Sequence, residues 1–135
     1  MALNVKRFKN DLDRLIREGT QFENAMSFEL SRDDCLRQVN KAFNNDKDKV
    51  ADFLAALPQF KIDYEKWYSE SLAVLRQLLP DRVANFISFY EKPKTRKVVS
   101  YGNYVIQDYM QDVVRQNFDG TYIVSTSAAL PQYRQ

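Results

Sequence analysis

VKRFKNDLDRLIREGTQFENAM, residues 5–26, is the stretch whose reading decides the fold. Val5, Phe8, Leu12, Leu15, Gly19, Phe22 and Met26 step along it by three and four. That spacing returns side chains to one face of a helix. It predicts a long amphipathic helix, capped by Asn4 and running to about Leu30. Gly19 lies on the stripe, where glycine costs about 1 kcal/mol against alanine in a helix. It marks a kink or a close approach of another helix. Val5, Phe8, Leu12, Leu15, Phe22 and Met26 have near-heptad spacing, which fits the inner face of a bundle or a seam for a second copy or a protein partner.

Outward from this helix, the same period recurs. Ser31–Asp34 offers a cap for a short helix carrying Cys35, Leu36, Val39 and Phe43. Asn44–Asp46 reads as a turn with a further cap. Val50, Phe53, Leu54 and Leu57 predict a third helix, stopped by Pro58, which lacks the donor a continuing helix needs. Phe60, Tyr64, Trp67, Tyr68, Leu72, Leu75, Leu78 and Leu79 fit one broad apolar face of a fourth helix, ended by Pro80. A fifth begins at Asp81 and turns Val83, Phe86, Ile87 and Tyr90 inward. Residues 91–97, EKPKTRK, form a basic loop, after which Val98 and Val99 suit a short extended stretch. Tyr101 to about Phe118 reads as a last helix, with Tyr104, Val105, Tyr109 and Val113 on one side and Asp108 and Asp112 on another.

These elements predict an all-α fold: a compact bundle of about five to six helices over residues 1–118, with the first and fourth helices as the central pair. Residues 119–135 lose the helical period and read as an irregular tail or linker. The chain has 135 residues, one domain's worth, and its 44% hydrophobic content is enough to build a core. Three Gly and four Pro argue against a loop-rich or all-β chain. No segment approaches the ~20 apolar residues that span a bilayer, and the N-terminus has no secretory apolar run. These features predict a cytoplasmic protein with no membrane partner.

The chemistry available is narrow. The chain has no histidine, so Ser-His-Asp and Cys-His arrangements and histidine-ligated zinc are excluded. Cys35 is the only cysteine, which excludes an intrachain disulfide; its spacing from Val39 turns it inward, away from a nucleophilic role. No phosphate-binding glycine loop occurs. Asp108 and Asp112, four apart on the expected last helix, share a face; they suit a solvated acidic surface better than a metal cage, which needs more ligands. No cofactor and no metal site are expected. The net charge of +2 is too small to imply nucleic acid by itself. Its local distribution offers one candidate: Lys92, Lys94, Arg96 and Lys97 in the basic loop, with Arg82 before it and Tyr101 after it, are cations beside aromatics that suit RNA phosphates and unstacked bases.

Four stretches together resemble a known family: residues 8–26 (FKNDLDRLIREGTQFENAM), 67–91 (WYSESLAVLRQLLPDRVANFISFYE), 103–110 (NYVIQDYM) and 125–135 (STSAALPQYRQ). They are similar to the N-terminal helical half of longer, HEPN-like, defence-associated bacterial proteins. The resemblance covers most of the chain, and residues 67–91 carry it most strongly. It implies that a catalytic HEPN half, often a ribonuclease with Arg followed four to six residues later by His, lies outside this sequence. No such element occurs here, so no ribonuclease residue carries over. The chain is then a piece of a longer protein or a short version without the catalytic half. The function expected is a non-enzymatic interaction or regulatory module of a HEPN-type RNA-targeting or phage-defence system. The alternatives are an RNA-binding domain using residues 92–97, and a small phage- or plasmid-encoded inhibitor of a host defence complex.

Overall fold

A computed structural model describes residues 2–135, with side chains from Val5 onward. The chain is mostly helical. Seven α-helices occur among the described residues: α1 (Ala2–Leu30), α2 (Arg32–Ala42), α3 (Lys47–Ala55), α4 (Phe60–Leu78), α5 (Val83–Tyr90), α6 (Ile106–Met110) and α7 (Ala129–Tyr133). A small antiparallel pair, β1 (Arg115–Gln116) with β2 (Tyr122–Val124), completes the regular structure. The chain forms two units, Met1–Ser71 and Leu72–Gln135, with the division inside α4. The expected cap at Asn4 involves a side chain outside the described residues.

In the first unit the apolar spacing of α1 and α4 does what it predicts. Leu15, Phe22 and Met26 are buried from α1, and Phe60, Tyr64 and Tyr68 from α4. Phe22 meets Phe60 edge-on at 5.6 Å and Tyr64 edge-on at 5.5 Å, while Phe60 stacks on Tyr64 at 4.7 Å. Edge-to-face and offset contacts add about 0.5–1.5 kcal/mol per pair beyond burial. Gly19 is where Trp67 comes close: a Cβ there would lie 3.0 Å from Trp67 Cζ2. The indole is fixed in that position by its Nε1–H, which donates to the Leu15 carbonyl at 2.8 Å. The close approach expected at Gly19 is therefore real, and the partner is an aromatic ring.

The shorter helices follow from local chemistry. Asn44 and Asn45 take φ of 52° and 60°, the left-handed region that asparagine tolerates. Asp46 then caps α3, its carboxylate accepting from the Asp48 and Lys49 N–H groups at 3.1 and 3.2 Å. Val50 enters the core from α3, and Phe53 joins Phe28 and Phe43 at about 6 Å. Ser31 stands at the start of α2 without a side-chain capping bond, so the helix begins at Arg32 with Asp33 and Asp34 facing its dipole.

The second unit departs from the sequence reading. The helix expected over 101–118 is only five residues long. Ser100 and Asn103 close a capped 3-10 turn over Tyr101–Asn103, and Tyr104 is extended. α6 then ends at Met110, because Asp112 adopts φ 54° and cannot continue a right-handed helix. The chain enters the hairpin instead, turning at Gly120 with φ 86°. Val98 and Val99 form no strand. The fifth helix starts two residues later than expected, behind a 3-10 turn at Pro80–Arg82. Residues 119–135 lack a long helical period, as expected, and take short elements that bury Val124, Ala128 and Ala129 beside Tyr104, Val105, Ile106 and Tyr109 in the core.

Candidate functional site

The basic loop is organised by a carboxylate. Asp108 is fully buried on α6 and accepts a two-pronged bond from Arg96, at 2.6 and 2.9 Å. Its Oδ2 also accepts the Val105 N–H at 2.9 Å, and Lys92 Nζ lies 3.7 Å from Oδ1. Arg96 donates further to the Asn103 carbonyl at 3.1 Å. Burial pushes the Asp108 carboxyl upward, but the Arg96, Val105 and Lys92 interactions outweigh it and the net shift is down. Arg96 is raised in return, chiefly by its bonds to Asp108. A planar guanidinium suits this fork, which a lysine could not reproduce.

This arrangement sorts the candidate RNA contacts. Arg96 leaves only 12% of its side chain exposed and has its charge matched within the fold. Lys92 is half-buried and donates to the Gln111 side chain. Arg82, Lys94 and Lys97 are exposed. Tyr101 is exposed as well, and hydrogen bonds with Ser125 and Ser127 draw its phenol below the usual tyrosine value. Lys92 and Arg96 thus build the loop, while the other four positions present their side chains outward.

Asp108 and Asp112 do not share a helix face. Asp108 is inside α6 and buried; Asp112 lies beyond the helix end and is exposed, because α6 stops at Met110. Cys35 is partly covered rather than buried, and burial followed by the Asp34 charge pushes its thiol upward, away from the reactive thiolate. Among the described residues no cluster of three or more His, Cys, Asp and Glu side chains could hold a metal ion, and no helix is long and apolar enough to cross a membrane.

The α1 stripe is divided. Leu15, Phe22 and Met26 face the core, and Phe8 is half-buried. Val5 is 70% exposed, Leu12 is exposed, and so is Ile16, at 59%. At 100° per residue, Val5, Leu12 and Ile16 fall within roughly 40° of one another, about 80° from the core-facing set. The contacts to α4 described above involve Arg14, Leu15, Gly19 and Phe22, all beyond Leu12. The spacing alone merged two edges of one helix into a single stripe.

Two clefts in the first unit were not legible in the sequence. One, of about 320 Å³, lies between α1 and α4 with Phe22 and Trp67 in its lining. Arg14 crosses its edge, bonded to Glu18 at 2.9 Å and Glu70 at 2.7 Å. The other, of about 480 Å³, lies where Pro58 breaks the chain between α3 and α4, and is lined by Phe28, Leu54, Leu57 and Phe60. Sequence reasoning also missed Phe118, which is fully exposed in the hairpin turn; the Asp119-Gly120 dipeptide was the available signal. No family model matches this chain, and no curated protein or solved structure matches it either.

Proposed function

We propose that this chain is a non-enzymatic protein-interaction module whose partner face is the outer edge of α1. The observation that carries this reading is the exposed row Val5, Leu12 and Ile16 on a helix whose other apolar edge already fills a core. Exposed apolar residues in register along one helix edge match the way an amphipathic helix is read by a partner groove or a second helix. Lys9 and Asp13 flank the row and would set its register. In the setting that the family resemblance implies, the module is the regulatory or partner-binding part of a HEPN-type RNA-targeting or phage-defence system.

The experiment is quantitative affinity capture with the tagged chain and with the triple variant Val5→Glu, Leu12→Glu, Ile16→Glu. A specific protein retained by the wild type and lost by the variant supports the reading. Equal retention of every protein by both baits refutes it, as does cleavage of RNA by the purified chain.

The RNA-binding alternative now rests on Arg82, Lys94, Lys97 and Tyr101, the four candidates with outward side chains. It predicts salt-dependent retention of RNA that weakens when Lys94 and Lys97 are neutralised together.

A further inference from the structure

Phe118 is the one large apolar residue here that is wholly exposed, and it is held rather than loose. Asn117 N–H donates to the Thr121 carbonyl at 2.8 Å, and Gly120 N–H donates to the Asn117 carbonyl at 3.0 Å. Thr121 N–H donates to the Asp119 carboxylate at 3.0 Å. Three hydrogen bonds around a five-residue turn present the ring as a fixed knob, with exposed Tyr122 and Val114 nearby in sequence. Presenting a side chain in its bound conformation lowers the ordering cost of association.

The first unit holds a receptor of matching character. The groove at the α3–α4 break has about 480 Å³ and an apolar lining of Phe28, Leu54, Leu57 and Phe60. A cavity of roughly 150 Å³ accommodates a benzene ring, so this groove takes the Phe118 ring with room for part of a neighbouring side chain. Ile62, on its rim, is 73% exposed and extends the apolar surface into solvent. The rim also carries Arg32 and Lys61 against the single acid Glu29, a positive excess. The knob carries the opposite sign: Asp119 is adjacent to Phe118, and residues 116–123 contain no Lys or Arg. Charge of opposite sign beside an apolar anchor fixes orientation and excludes wrong partners.

We infer that the Phe118 turn of one copy docks into the α3–α4 groove of a second copy. Because knob and groove are different surfaces, each copy offers one of each. Association is therefore heterologous unless two copies close reciprocally. This surface is separate from the α1 edge and does not depend on the function proposed above.

Sedimentation velocity over a concentration series tests the inference, using the full chain and two variants altered at exposed positions: Phe118→Ser, which removes the knob, and Ile62→Glu, which charges the groove rim. Circular dichroism establishes that each is folded. The wild type is expected to gain mass with concentration, and each variant to associate roughly tenfold or more weakly, as expected for loss of an interface anchor. Mixing the variants leaves one intact knob and one intact groove, so a one-to-one heterodimer should return. A wild type that stays monomeric at the highest concentration overturns the inference. So does self-association that survives Phe118→Ser but is lost on Leu12→Glu, which would place the contact on the α1 edge instead.

Discussion

Replacing Arg96 with methionine should unfold the second unit far more readily than a surface change would. The side chain keeps most of its volume and loses its charge, so the buried Asp108 carboxylate is stripped of two bonds at 2.6 and 2.9 Å. Each charge-assisted bond is worth about 1.5–3 kcal/mol net. The Val105 N–H remains, and Lys92 at 3.7 Å compensates part of the charge. The expected loss is about 3 kcal/mol, at the lower end of the range for breaking a buried pair. In a small domain each kcal/mol moves Tm by about 4–8 °C, so thermal and urea denaturation should show a drop of more than about 10 °C. Asp108→Asn should cost a similar amount, and the double variant Arg96→Met, Asp108→Leu should recover much of it, because no lone charge stays buried. The pH dependence has a defined direction. Asp108 titrates below the ordinary carboxyl value of about 4, so its pairing stabilises the fold fully above that pH. The contribution is lost as the pH falls through the folded-state value, and the gap between wild type and Arg96→Met should close there. Single variants that each cost under about 0.5 kcal/mol and add without coupling would refute this account of the loop.

Four further outcomes are expected. Gly19→Val should destabilise the first unit, since its Cβ meets Trp67 at 3.0 Å and the indole is fixed by Leu15; a Tm equal to wild type would show that the ring moves freely. Asp46→Ala should cost about 1 kcal/mol by removing the α3 cap, measured by urea denaturation. Tyr104 should stay protonated while exposed tyrosines ionise in a spectrophotometric titration, because burial, then the charges of Asp108 and Asp112, pushes its phenol well above the usual value. Cys35 should alkylate more slowly at neutral pH than an unhindered thiol, with the difference abolished on unfolding.

The sequence by itself determined the first four helices and the pairing of α1 with α4. Their apolar residues recur over many turns, and Pro58, Pro80 and the Asn44–Asp46 turn punctuate them by local backbone chemistry. Periodicity is a property of consecutive residues, so it is readable without a partner. It also correctly marked Gly19 as a place of close approach, though not that the neighbour is Trp67. Tertiary structure alone decided the second unit and the surfaces. Residues 101–118 have enough apolar spacing to suggest a helix, yet Arg96, twelve residues upstream of Asp108, pins a short α6 in place and the left-handed Asp112 ends it. The same pairing removed Arg96 from an apparent basic patch, because neutralisation by a partner distant in sequence leaves no local signal. Which edge of α1 meets water, and that Phe118 stands outside the core, depend on where neighbouring elements lie. Burial is set by contacts between separate segments, and a pattern within one segment cannot specify them.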